Sequence, residues 1–284
     1  MSQHSRVATR FFGNAPVADS RRGVKVDDSI NLEKVCLRRN GKEILRDVDW
    51  RMRRGENWAI IGANGSGKTT LLQIAGGVLF PTSGRAEVLG GRFGSCDLFA
   101  IRRRVGWVSS ALQARMPTSD SALDIVASGL KATFGLVYEY TEADREKAEA
   151  ALDRLGLGDR ASALFGVLSQ GEQQKTLFAR ATMANPDLLI LDEACSGLDL
   201  QARESFLRVV DGMMAAGDGP GVIMVTHHIE EIPPGIGHAL ILKDGRALAA
   251  GPVAETVNSA ILTEAFGIDV HVEQRNGRFW ARVG

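Results

Sequence analysis

Gly62-Ala63-Asn64-Gly65-Ser66-Gly67-Lys68-Thr69 fits the spacing GxxxxGK[ST], with the apolar run Asn57-Trp58-Ala59-Ile60-Ile61 before it and a helix-forming stretch after it. Strand, glycine-rich loop, helix is the order in which such a loop cradles phosphate. The glycines let backbone N–H groups turn inward, and the helix N-terminus adds favourable partial charge. Gly62, Asn64, Gly65, Ser66, Gly67, Lys68, Thr69 and Thr70 are therefore the candidate nucleotide contacts. Lys68 is placed to neutralise the β- and γ-phosphates, the Thr69 hydroxyl to ligate Mg²⁺, and Thr70 to reach the α-phosphate.

Downstream, Leu188-Leu189-Ile190-Leu191 is an apolar strand that ends in Asp192-Glu193. The carboxyl end of a parallel strand is where such a sheet presents groups to its crevice. Asp192 is thus a candidate to hold Mg²⁺ through water, and Glu193 to polarise an attacking water. Between loop and strand stands Leu168-Ser169-Gln170-Gly171-Glu172, continuing into an apolar-periodic stretch through Ala181, so that Ser169 and Gly171 fall at a helix N-terminus. Ser196-Gly197-Leu198-Asp199 follows the acids, and Val225-Thr226-His227-His228 ends a further strand.

The rest of the chain supplies the frame. Ile30–Val35 and Ile44–Met52 alternate like half-buried strands around an Asn40-Gly41 turn, which predicts a small antiparallel sheet ahead of the phosphate loop. Ser119–Leu157 reads as helical, with Thr141 and Asp144 as a capping pair and Gly156 as a stop, inside a helical insert over about residues 115–175. Leu188–Leu191 and Val222–Val225 predict parallel strands buried on both faces. Asp244-Gly245 and Asn276-Gly277 mark hairpins, so residues 252–284 read as a small β appendage to a unit spanning 30–251. Residues 1–29, mixed in Arg, Ser and Gly without apolar period, predict a disordered tail. Arg6 and Arg10 with no acid before Asp19 leave an organelle transit peptide as the lesser alternative.

Composition leaves several classes unsupported. Among 284 residues, 34 Lys plus Arg balance 34 Asp plus Glu, so no basic field points to nucleic acid. No apolar run approaches the roughly 18–20 residues that span a bilayer. Cys36, Cys96 and Cys195 are too few and too scattered for a disulfide framework or a zinc site, as expected of thiols in a reducing cytosol.

The ordered set of phosphate loop, LSxGE, Asp192-Glu193, Ser196–Asp199 and His227 resembles the ATP-binding-cassette (ABC) ATPases over about Ile30 to Gly251. The resemblance implies an α/β fold, a P-loop core with a mostly parallel sheet, an N-terminal antiparallel β subdomain and an inserted helical subdomain. It implies ATP and Mg²⁺ as ligands, with Lys68, Glu193 and His227 as the catalytic set. Glu193 would take the role of the Walker B glutamate and His227 that of the switch histidine on the γ-phosphate. Ser169, Gln170 and Gly171 would act in trans on the ATP of a facing second copy, and Ser196–Asp199 would cross between the two. Further implied are a cytoplasmic location on the inner face of a membrane and separate permease subunits, with the ATPase itself outside the bilayer.

Two positions depart from the family pattern. Where many members carry an adenine-stacking aromatic, this chain has Arg38-Arg39-Asn40; Arg39 either stacks through its planar guanidinium or belongs to a solvated basic turn. Where a glutamine is usual after Val105–Ser109 stands Ser110, with Gln113 three residues on. Either Gln113 reaches the metal or a hydroxyl does so through water. Trp58, the stretch Val108–Gln113 and the paired histidines look similar to a branch that handles molybdenum or iron chelates. A non-transport ABC ATPase, regulatory or nucleic-acid-related, is the alternative; a guanine-specific GTPase is disfavoured because no Asn-Lys-x-Asp appears.

Overall fold

In the computed structural model, which describes residues 28–135 and 139–284, the strand signals become three sheets. β1 (Asp28–Arg39) and β2 (Lys42–Arg53) form an antiparallel hairpin. Its turn, Asn40-Gly41, has φ of 51 and 76°, the left-handed pair that a tight two-residue hairpin requires. β3 (Trp58–Ile61) feeds the glycine-rich loop and α1 (Lys68–Ala75). β4 (Ser83–Val88) and β5 (Gly91–Arg92) then complete the first sheet, in the order β2-β1-β4-β5. Of the predicted disordered tail, all but Asp28 and Ser29 lies outside the described residues; those two open β1 instead.

α2 (Leu98–Arg102), β6 (Val105–Ser109) and α3 (Ser110–Gln113) lead into the helical lobe. That lobe comprises α4 (Ala122–Ala127), α5 (Glu142–Arg154) and α6 (Gln170–Thr182). The expected Thr141–Asp144 capping box starts α5, each side chain bonding the other residue's backbone N–H. β7 (Leu188–Asp192), α7 (Leu200–Ala216), β8 (Gly221–Val225), β9 (His238–Lys243) and β10 (Arg246–Pro252) return the chain to the main sheet.

That sheet runs β10-β9-β3-β8-β7-β6, parallel throughout except for the edge strand β10. Its central strands β3 and β8, and β7 as far as Leu191, are buried along their length because alternate residues enter different cores. Trp58, Ile60, Leu188, Ile190, Ile223 and Val225 face the antiparallel sheet and α1. Ala59, Ile61, Leu189, Leu191, Val222 and Met224 face the helices. Register places Ile60 opposite Val225, Asp192 opposite Val225 and Ser109 opposite Asp192, so four strands end along one line. Every functional candidate that follows a strand therefore emerges on the same rim.

The segment after β10 differs from the expected β appendage. It contains α8 (Val253–Thr256) and α9 (Ser259–Phe266) before the hairpin of β11 (Val270–Arg275) and β12 (Arg278–Val283). Asn258 caps α9 by accepting from the Ile261 N–H, and Gly267 ends it with φ of 69°, start and stop signals that the hairpin turn overshadowed. Leu262, Ala265, Val270 and Phe279 are buried in the same core as α7, so this segment closes the main body. Among the described residues no helix is long and apolar enough to cross a membrane.

Phe206 of α7 is fully buried and meets Phe178 of α6 edge-on, ring centroids 5.8 Å apart. Phe206→Ala should lower unfolding free energy by about 3–5 kcal/mol, read from urea denaturation, because the lobe junction cannot collapse around the void.

Candidate functional site

The glycine-rich loop is held by its neighbours as well as by its own glycines. A Cβ on Gly62 would stand 2.3 Å from the Leu242 carbonyl oxygen, so only glycine lets β9 pass this close. The Gly245 N–H donates to the Ser66 carbonyl (3.1 Å), while the Gly245 carbonyl accepts from Arg46 N–H (2.8 Å). The turn between β9 and β10 thus bridges the loop to β2. Gly67, at φ 102°, passes the chain into α1, whose first turn contains no acid. A helix start of that kind favours an anion.

Within this cradle Lys68 is buried and its Nζ donates to the carbonyls of Gly62 (2.7 Å) and Ala63 (3.0 Å). Burial lowers its pKa, against the pull of the Glu193 and Asp192 carboxylates. Asp192, at the end of β7, is pushed up to about 6, first by burial and then by repulsion from Glu193, with Lys68 opposing. A divalent cation would relieve that cost, and Thr69 is the exposed hydroxyl beside Lys68. Ser66 Oγ is buried without a hydrogen-bond partner, an orphan that a phosphate oxygen would satisfy. The cradle therefore fits a polyphosphate with its metal. Asn64 and Gly65 lie exposed at the loop's tip, and Thr70 is half-buried on α1.

Glu193 follows Asp192 with φ of 50°, left-handed for a residue with a side chain. Its N–H donates to the Val225 carbonyl (3.0 Å), which locks this turn onto β8. Such a conformation costs on the order of 1–3 kcal/mol and is held where the surroundings demand it. The result brings Glu193 Oε1 to 3.6 Å from His227 Nδ1 at the end of β8. Both line a cavity with Ser196, Gly197, Thr226 and His228.

Ser169 caps α6 and shares a capping box with Glu172: Ser169 N–H donates to Glu172 Oε2 (2.8 Å) and Glu172 N–H to Ser169 Oγ (3.3 Å). These bonds and Arg160 hold the Glu172 carboxyl below its ordinary range. Gly171 sits where a Cβ would meet the Ala202 Cβ at 2.8 Å, and Gln170 Oε1 lies against Gly197. This end of α6 is thereby packed on the start of α7 and on the loop between β7 and α7. Asp199, within that loop, caps α7 by accepting from Ala202 N–H (2.7 Å).

The two departures lie in different surroundings. Gln113, one of the two alternatives for reaching the metal, bonds α6 in this structure: its amide donates to Gln173 Oε1 (2.5 Å) and its carbonyl accepts from Gln174 Nε2 (3.0 Å). Gln174 is buried, and this partnership explains why the reach goes to α6: α3 lies alongside that helix, a placement the spacing Ser110 to Gln113 does not reveal. Arg38 is drawn into an ion pair with Glu43 (2.6 Å), and Arg39 stands exposed at the end of β1. Sequence reasoning passed over Gly245, seen only as a turn residue, and over Gln173 and Gln174, seen only as part of an amphipathic helix.

The family profile described as ABC transporter matches residues 45–196. The uncharacterized ABC transporter ATP-binding protein YlmA of Bacillus subtilis (strain 168) is 43% identical over 244 residues, covering 86% of this chain and 92% of that protein. A dimeric post-hydrolysis ATP-binding cassette bound to ADP and Pi superposes with a TM-score of 0.68 at 26% identity, covering 79% of this chain and 98% of that one. The fold is shared also with cbiO1 of Clostridium perfringens, described as part of the ABC transporter complex cbiONQ, at TM-score 0.72 and 24% identity over 84% and 94% of the two chains.

The raised Asp192 pKa has a sign that stability can report. The folded protein holds this proton up to about pH 6, whereas an unfolded Asp releases it near 3.8, so ionisation removes stability as pH rises between them. Metal-free wild type should therefore lose thermal stability relative to Asp192→Asn as pH is raised from 4 to 7, with the gap level above that. A gap that stays flat across the range contradicts the burial assigned to Asp192.

Proposed function

We propose, from the premise that this chain belongs to the ABC transporter family of ATP-hydrolysing cassettes, that two copies close head to tail over two ATP molecules and drive a separate membrane permease. The chemistry, ATP plus water to ADP plus phosphate, comes with the family. The observation that carries the rest is the turned backbone at Glu193, which separates two adjacent acids into different tasks.

In this reading the loop N–H groups of Gly62, Asn64, Gly65, Ser66 and Gly67 receive the phosphate oxygens, and Lys68 exchanges its two carbonyl partners for the β- and γ-phosphates. Thr69 and Asp192 would hold Mg²⁺, whose charge offsets that developing between the β- and γ-phosphates. Thr70 takes the α-phosphate. Glu193 accepts the proton of an in-line water, and His227, beside it, donates to the γ-phosphate and keeps the water in place. Ser169, Gln170 and Gly171 form a helix start already packed on its own α7 and present their N–H groups to the γ-phosphate held by the other copy. Residues 30–251 make up the nucleotide-binding unit, and 252–284 close its core from behind.

The dimer is supported by the free helix start at Ser169–Gly171, suited to a nucleotide held by another copy, and by the dimeric cassette of like fold. A permease partner is supported by the transporter description shared by the matching family and YlmA, and with such a partner the ATPase would work at the cytoplasmic face of a membrane.

Purified wild type and Glu193→Gln should bind Mg·ATP alike, while the variant loses about 10²–10⁴-fold in turnover and accumulates as an ATP-bound dimer by size-exclusion light scattering. Turnover by the variant at the wild-type rate removes Glu193 from the chemistry. ATP binding without any dimer in the variant removes the sandwich. An integral-membrane protein that elutes with the chain from native membranes is the matching expectation for the permease.

A further inference from the structure

The C-terminal hairpin reaches the rim of the site through one side chain. Arg278 of β12 donates from Nη1 to Glu204 Oε2 (2.6 Å) and from Nη2 to Glu204 Oε1 (3.1 Å), a two-pronged ion pair onto the early turns of α7. Nη2 also donates to the Glu230 carbonyl, three residues beyond His227. The pair is partly shielded, and the guanidinium holds the Glu204 carboxyl below its ordinary range. Phe279, next in the chain, is buried in the main core and fixes the strand that carries Arg278.

The segment Arg278 grips is closed on itself. Glu231 is buried, and its Oε2 accepts from the Thr226 hydroxyl at 2.5 Å. Thr226 Oγ1 in turn accepts from His228 N–H at 2.9 Å. Residues 226–231 thus form a small ring with His227 on its rim, and the ring has an outside tether at Glu230. Glu204 lies on the helix that Asp199 caps, directly after the loop against Gln170. One guanidinium therefore joins three parts: the loop carrying His227, the helix leading from the Ser196–Asp199 loop, and the terminal hairpin.

We propose that Arg278 is a positioning residue for ATP hydrolysis. Acting through Glu230 and Glu204, it fixes the 226–231 ring against α7 and so sets His227 against Glu193, without touching nucleotide itself. The inference rests on the roles given above to Glu193 and His227. It makes the C-terminal hairpin part of the catalytic framework rather than a cover alone.

The full-length protein tests this through Arg278→Ala, Arg278→Lys and Glu204→Gln, with Glu193→Gln as the control. Because small displacements of catalytic groups cost up to on the order of 10²-fold, Arg278→Ala should lower kcat by about tenfold. KM for Mg·ATP and the ATP dissociation constant should stay within about twofold, the pattern of an interaction felt in the chemical step. Arg278→Lys, which keeps one donor, should recover part of the loss. Unchanged kcat in folded Arg278→Ala overturns the proposal, as does a loss of kcat matched by an equal loss of ATP binding. If Arg278→Ala does not fold, Glu204→Gln decides: it keeps the shape and removes the charge, and kcat must fall at constant KM or the proposal fails. Wild-type turnover by Glu193→Gln instead overturns the underlying assignment of the site, whatever Arg278 does.

Discussion

Lys68 is buried between two loop carbonyls on one side and the fields of Asp192 and Glu193 on the other. Lys68 and Asp192 each carry a charge at a cost that the other only partly offsets: burial disfavours the ammonium, and burial with Glu193 disfavours the Asp192 carboxylate. Polyphosphate and a divalent cation together correct both deficits, whereas either one alone corrects only one. The glycine that lets β9 pass at Gly62, the common line on which four strands end, and the turned backbone of Glu193 all keep these charges close enough to oppose one another. The geometry of the rim follows from that balance.

Much of this was legible in the chain because it depends on local chemistry. Asn40-Gly41 and Asn276-Gly277 marked hairpins since few other pairs accept left-handed backbone twice. Continuous apolar runs at Leu188 and Val222 marked strands with two buried faces. The phosphate loop, Asp192 and Ser169 stood out for the same reason, each needing particular residues at fixed spacing. What escaped depends on contacts between distant segments. Gln113 goes to α6 because α3 lies beside Gln173 and Gln174, some sixty positions away. Arg278 is an ordinary hairpin residue until α7 and the 226–231 ring are brought beneath it. α9 was missed for a local reason: its Asn258 cap and Gly267 stop sit between two stronger turn signals.

The contacts of α6 also constrain how the helical lobe can move. Gly171 against Ala202 and Gln170 against Gly197 fasten its N-terminus to α7 and to the loop before it. The three glutamines fasten its next turn to α3, directly after β6. A shift at the end of β6 is thus carried to the start of α6 by hydrogen bonds, and from there to the Ser196–Asp199 loop by steric contact. The close approach of Gly171 to Ala202 leaves little room for sliding at that junction.

The sheet order has a consequence for how the protein is made. β3 delivers the phosphate loop, yet its partners are β8 and β9, which come from residues 221–243. On the ribosome this strand emerges early, apolar on both faces and bare along both edges, and waits while the helical lobe is synthesised. Nucleotide cannot act as a template for the first half of the chain, since Gly245 and Leu242, which shape the loop, are not yet present. An aggregation-exposed interval of biogenesis therefore falls on the segment that later binds ATP, and it closes only once β8 and β9 have been made.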